Sequence, residues 1–248
     1  MSRTFKLTLQ YDGTDYVGWQ RQTNGVSIQG LLEDAVRPIE GVQVNVFGAG
    51  RTDAGVHALG QVASLSLCVA IDAASLGRAL NAVLPPDVRV VAADEVAQDF
   101  HARFSAIGKT YEYRIVNGQT VSPFVRRFVW HVIPRLDLDA MRDASAALVG
   151  RHDFAAFQGV RTAVRSTERT IRRLQWREGE GNDVPLVMQI DGNGFLRHMV
   201  RIIAGTIVEI GLKRWPAVQI HEILASRDRT RAGSTAPAAG LFLARVLY

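Results

Sequence analysis

The sequence predicts an α+β fold, in which antiparallel sheet carries flanking helices. Three observations lead there. Short stretches such as Phe5–Leu9 and Lys109–Val116 alternate apolar and polar residues, the period of a strand with one buried face. Others, such as Ile28–Ile39, place apolar residues at helical spacing. The strands are separated more often by hairpin-like turns than by helical crossovers, which points away from a parallel α/β sheet. The 248 residues, 47% hydrophobic and 21% charged, leave room for one large domain or two small ones and exclude collagen, disordered tails and coiled coils.

Phe5–Leu9 is a predicted strand that stops at the turn Tyr11-Asp12-Gly13-Thr14. Ile28, Leu31, Leu32, Ala35, Val36 and Ile39 then mark one helical face, with Ser27 as N-cap and Gly41 at the exit. Val42, Val44 and Val46 alternate as a strand that enters the loop Gly48-Ala49-Gly50-Arg51-Thr52-Asp53-Ala54-Gly55-Val56-His57. Gln61–Leu67 reads as a returning strand, Asp72–Leu84 as a helix ended by Pro85-Pro86, and Val88–Val91 as a short strand. Further on, Lys109–Val116 is a strand with Tyr111, Tyr113 and Ile115 on one face, followed by an extended Phe128–Ile133. Leu138–Leu148 reads as helix, Ile171–Trp176 and Leu186–Ile190 as extended. Phe195–Ile210, capped by Gly211, and Val218–Leu224 read as helices, and Leu241–Leu247 as a final strand.

The net charge is only +5, yet 26 of the 29 basic residues are arginine. Guanidinium forks bind phosphate bidentately and stack on flat rings, so this balance fits a nucleic-acid partner; a genome rich in arginine codons is the other reading. His101–Arg177 holds 14 basic residues against six acidic, a balance of +8 that leaves −3 for the rest of the chain. That asymmetry favours a polyanion-binding surface and suggests a boundary between halves near residue 100. The single cysteine, Cys68, forbids an intrachain disulfide, is expected to be buried, and points to a reducing cytosol. The N-terminus lacks an apolar signal region and no hydrophobic run reaches about 18 residues, so neither export nor membrane insertion is expected.

Dinucleotide, P-loop, zinc and nucleophile-elbow motifs are missing, so no metal or cofactor is expected and any chemistry falls to bare side chains. Asp53 is the leading candidate. Glycines at 48, 50 and 55 allow tight turns that present one side chain to a close ligand, and Arg51 lies two residues away. A carboxylate of ordinary acidity is already ionised at neutral pH and can serve as nucleophile or base; if buried, it needs a cation nearby. An Asp that only bonds loop amides beside Arg51 is the competing reading. Arg201 sits opposite the core stripe Met199, Ile202, Ile203, Thr206, Ile207 and Ile210, on a face that is itself apolar; an arginine there needs a carboxylate partner or must reach water or phosphate. Phe100-His101-Ala102-Arg103-Phe104 and Lys109–Arg114 interleave aromatic and basic residues, either for base stacking or as core. The run Arg161, Arg165, Arg169, Arg172, Arg173 and Arg177 is either a solvated face or a phosphate track.

The segments Tyr11–Gln22, Gly50–Ala58, Phe100–Ser105, Lys109–Tyr113, Phe195–Arg201 and Ala236–Leu241 together resemble, in order along the chain, the TruA family of tRNA pseudouridine synthases. The resemblance implies cofactor-free isomerisation of uridine in the tRNA anticodon stem-loop, at positions 38 to 40 in tRNA numbering. The base leaves its C1′–N1 bond, rotates and rejoins through C5. It assigns Asp53 as the catalytic aspartate and Arg201 as its paired arginine. Tyr111 would stack on the target base, Arg51 help displace the nucleotide, and Leu241 line the pocket. It implies two similar α+β halves built on antiparallel sheet, 1–105 with the Asp53 loop and 106–248 with Tyr111 and Arg201, and an active cleft between them. It also implies a cytoplasmic homodimer that grips tRNA.

Overall fold

The computed structural model describes residues 2–160, 164–179 and 185–248. The chain forms two compact units, Met1–Ile107 with Phe242–Tyr248, and Gly108–Leu241. Both are mainly antiparallel sheets with helices, so the α+β reading holds.

In the first unit, strand β1 (Arg3–Tyr11) leads to helix α1 (Ile28–Glu40), the two-residue β2 (Phe47–Gly48), β3 (His57–Leu67), α2 (Ala73–Val83) and β4 (Val88–Val96). The sheet runs β4-β1-β3, with β1 antiparallel to both neighbours and β2 antiparallel on β3. The far C-terminal strand β10 (Leu241–Leu247) adds to β3 in parallel, Phe242 opposite His57 and Leu243 opposite Ala58. Although the sequence reading runs the C-terminal half to residue 248, this pairing groups Phe242–Tyr248 with the N-terminal residues. Phe5, Leu7 and Leu9 are fully buried, as are Leu32, Val36, Leu76 and Leu80 on the inner faces of α1 and α2. Ser27 Oγ accepts from Gly30 N–H, and Gly41 closes α1 in the left-handed conformation at φ 81°.

The second unit holds β5 (Gly108–Asn117), β6 (Trp130–Val132), α3 (Leu138–Ala146), β7 (Gly150–Asp153), β8 (Glu168–Arg177), β9 (Leu186–Gly192), α4 (Met199–Gly211) and α5 (Gln219–Ser226). Its sheet runs β5-β9-β8-β7, antiparallel throughout, with β6 parallel on β5. Helix α4 packs on α3 and on β5, and is buried almost all round, as its composition implied.

Four expectations differ from the structure. Val42, Val44 and Val46 are not a strand: the Val46 N–H donates to Glu33 Oε1 (3.4 Å) and its carbonyl accepts from Gln29 Nε2 (3.1 Å), so side chains of α1 take the groups a ladder would use. Helix α4 starts at Met199 rather than Phe195, because His198 is left-handed at φ 60° and cannot continue a helix backwards. Gly211 lies inside α4, where an added Cβ would meet Met141 Sδ at 2.6 Å, so its smallness serves packing on α3 rather than capping. Cys68 is exposed, one residue past β3, with its N–H on the Glu40 carboxylate (2.7 Å). Strand β7 was not read from sequence, its four residues Gly150–Asp153 being mostly polar. Among the described residues, no helix is long and apolar enough to cross a membrane.

Ser27→Ala removes the acceptor for Gly30 N–H and should cost about 1 kcal/mol. Ser27→Asp should retain most of that, and urea unfolding of the three proteins measures it.

Candidate active site

The Asp53 loop is held by the segment that follows β1, and glycines set the distance between them. A Cβ on Gly13 would lie 2.0 Å from the Val56 carbonyl oxygen, and one on Gly18 would lie 2.5 Å from the Thr52 carbonyl oxygen and 2.9 Å from the Asp53 carbonyl carbon. Gly18 is also at φ 104°, where a side chain is strained whatever the space. At this distance backbone meets backbone. Trp19 N–H donates to Thr52 O (3.0 Å), and Gly55 N–H to Tyr16 O (3.4 Å). Trp19 is buried, and the Gly48 backbone approaches its indole so closely that an added Cβ would lie 2.3 Å from Cε2. The same segment starts α1: Ile28 N–H donates to Gly18 O (3.1 Å) and Gln29 N–H to Trp19 O (2.9 Å).

Buried side chains fix the base of the loop. Tyr11 hydroxyl and Thr52 Oγ1 are 2.9 Å apart, and Gln61 Nε2 donates to Tyr11 (3.4 Å) and to Gly50 O (2.9 Å). Burial pushes the Tyr11 hydroxyl up to about 12, the bonds from Thr52 and Gln61 opposing the shift. At the loop's exit His57 stacks on Phe242 (4.7 Å, 24°), and its Nδ1 accepts from Gly13 N–H (3.0 Å), with Asp12 Oδ1 3.1 Å away. Within the loop Val56 N–H donates to Asp53 O (3.1 Å) while Gly55 turns at φ 76°. The result is a half-buried Asp53 that follows exposed Arg51 and buried Thr52 into the turn.

Tyr111, Arg201 and Leu241 belong to the second unit. Tyr111 is buried on β5 with Phe195 edge-on to its ring (5.1 Å, 83°). Arg201, half-buried on α4, donates from Nε to Ala236 O (2.8 Å), and Ala236 N–H donates back to Arg201 O (3.2 Å). Gly205, one turn on, admits the Ser234 carbonyl at 1.9 Å from where a Cβ would stand, and Thr206 Oγ1 accepts from Gly233 N–H (2.9 Å). Tyr113 completes this cluster by donating to Pro237 O (2.8 Å). Burial raises its hydroxyl far above the tyrosine range, the Arg201 charge opposing. The second unit therefore brings Arg201 to the Ala236–Leu241 segment, while Arg51 and Asp53 share the loop of the first.

Of the arginine run, Arg173 is on Asp191 (2.8 Å) and Arg177 on Glu112 (3.1 Å). Arg169 donates to Ser166 O (3.0 Å) and Glu168 O (2.6 Å), and its burial lowers its pKa. Arg165 is exposed, and Arg161 lies outside the described residues. The supports of the Asp53 loop, Tyr11, Gly13, Gly18, Thr52 and Gln61, were not assigned roles from the sequence. The signal for two of them was there, since Gly13 and Gly18 bracket a turn-rich stretch with no flexible linker to explain them.

A family model described as tRNA pseudouridine synthase matches residues 8–105 and 144–248. The chain belongs to that family. It is 49% identical to a tRNA pseudouridine synthase A of Myxococcus xanthus, over 98% of this chain and 91% of the relative. Relatives of the same name from Thermoanaerobacter sp. (strain X514) and Acetivibrio thermocellus are each 43% identical over 99% of this chain and 100% of their own.

The upward pKa shift of Tyr11 makes stability depend on pH. The fold favours the neutral phenol, so this contribution is complete below the ordinary value near 10 and is lost as pH rises through about 12. Subtracting the spectrophotometric titration of Tyr11→Phe from that of the parent should leave a transition near pH 12, and the parent's urea midpoint should fall more steeply across this window than the variant's.

Proposed function

We propose that this protein isomerises uridine to pseudouridine in the anticodon stem-loop of tRNA, at positions 38 to 40, with Asp53 as the catalytic residue. The observation that carries the reading is the Asp53 loop: a carboxylate between an exposed arginine and a glycine turn, on backbone locked by the Tyr11–Trp19 segment. The chemistry asks for little more. Breaking C1′–N1, forming C1′–C5, losing the C5 proton and gaining one at N1 balances without an oxidant or reductant, so an ionised carboxylate and a held nucleotide suffice and no cofactor is required. Reaching a stacked base costs a few kcal/mol of unstacking, which contacts to the flipped nucleotide must offset. Exposed Arg51 beside Asp53 supports a role in displacing the nucleotide. For Tyr111 the resemblance supplies base stacking, for Arg201 the counter-charge, and for Leu241 the lining of the pocket. Arg201 is suited to a fixed role by its reciprocal bonds to Ala236. A cytoplasmic homodimer acting on tRNA is part of the same proposal.

The test is tritium release from tRNA labelled at uridine C5, since that carbon becomes the new glycosidic attachment. The parent protein should release tritium. Asp53→Asn should release none above background while binding tRNA within a few-fold of the parent. A parent that releases no tritium from any anticodon stem-loop uridine overturns the reading. Gly18→Ala should lower the release rate at least tenfold, because its Cβ can be admitted only by moving the backbone at Thr52 and Asp53.

A further inference from the structure

The Phe100–Ser105 segment is held from several sides. Ala102 is fully buried, and its N–H donates to Ser64 Oγ on β3 (3.0 Å). Its carbonyl accepts from the Tyr248 hydroxyl (2.8 Å), whose ring lies 5.0 Å from Phe100. His101 and Ser105 close on each other, Ser105 N–H to His101 O (2.9 Å) and His101 N–H to Ser105 Oγ (3.1 Å). Although it is so firmly fixed, the segment leaves Phe104 76% exposed, and the neighbouring Phe47 is 47% exposed.

The rings form a ladder. Phe47 and His101 are 5.0 Å apart at 38°, His101 and Phe104 4.4 Å apart at 35°, and the Arg103 guanidinium stands 5.6 Å over the Phe104 ring. His101 Nδ1 accepts from the N–H groups of Arg103 (3.1 Å) and Phe104 (3.3 Å), so the neutral ring carries its proton on Nε2 as a donor.

We infer that Phe47, His101 and Phe104, with Arg103, form a stacking platform for an unpaired RNA base outside the Asp53 loop. The inference rests on the proposed tRNA substrate and adds a second contact to it. Aromatic faces beside an exposed guanidinium are the pattern that stacks a base and holds its phosphate. The platform is also within the substrate's reach: β2, which carries Phe47, runs directly into the loop, and Phe47 and Asp53 are six residues apart, at most about 20 Å along the chain. A second copy of the chain fits this patch less well, because a two-fold contact through it would press one Arg103 towards the other while removing water from both. RNA brings the opposite charge.

Affinity for a fluorescently labelled anticodon stem-loop RNA tests the platform in the parent, Phe104→Ala, Phe104→Trp and Arg103→Ala. Phe104→Ala should bind about tenfold more weakly with the salt dependence of binding unchanged, and Phe104→Trp should bind at least as well as the parent. Arg103→Ala should weaken binding and reduce the slope of log K against log salt by about one. Phe104→Ala binding within two-fold of the parent, while the parent still releases tritium, overturns the platform and leaves the proposed function standing. A parent that neither binds the RNA nor releases tritium overturns both. Sedimentation at the same concentrations separates the remaining case: if Phe104→Ala becomes monomeric and loses affinity only for that reason, the patch joins copies of the chain and the platform is overturned.

Discussion

Backbone-to-backbone contact between the Tyr11–Trp19 segment and the Thr52–Val56 turn sets the position of Asp53. The atoms that would collide with a Cβ at Gly13 or Gly18 belong to carbonyl groups, so no rotation of a side chain could make room. Because the glycines let the chains meet, Trp19 can donate to Thr52 O and Gly55 to Tyr16 O, and the first N–H groups of α1 find acceptors on the same segment. The entry to β3, the start of α1 and the candidate catalytic turn thus share one set of backbone bonds. A carboxylate placed by such bonds is held before any ligand arrives, which is how a charged group stabilises a reaction without reorganising during it.

The second unit uses the same device. Gly205 lets the Ser234 carbonyl sit against α4, and the chain beyond it reaches Arg201 through Ala236 and Tyr113 through Pro237. An arginine on an otherwise buried helix is costly unless its donors are occupied, and the Ala236 carbonyl occupies Nε. The reciprocal bonds to Ala236 give Arg201 a defined orientation.

The arginines that dominate the basic residues divide by environment rather than by sequence position. Arg173 faces a carboxylate on the adjacent strand β9 and Arg177 one on β5, two strands away, and both arginines remain exposed enough for a phosphate to compete. Arg51 and Arg103 are exposed and stand beside a turn and an aromatic ladder. Charge asymmetry along the chain counts both kinds alike.

Much of the architecture was legible in the sequence because strand and helix periods are local properties. Ser27 and Gly41 bracket α1 as read, Asp72 caps α2, and Tyr111, Tyr113 and Ile115 share the buried face of β5. Asp53 stood out through its glycines, and the ordered motifs named its family. Three of the failures were of one kind, since Val46, Gly211 and Cys68 depended on which distant group met them, Glu33, Met141 or Glu40, whereas the start of α4 was set by the left-handed backbone at the adjacent His198. The sequence by itself determined most of the strands and helices and singled out the Asp53 loop as the candidate for the chemistry, since spacing and side-chain type are local properties. Only the tertiary structure decided that Gly13 lies against Val56, Gly18 against Thr52, and Phe47 beside His101, because those contacts join residues far apart in the chain through backbone geometry and exposure that no local pattern encodes.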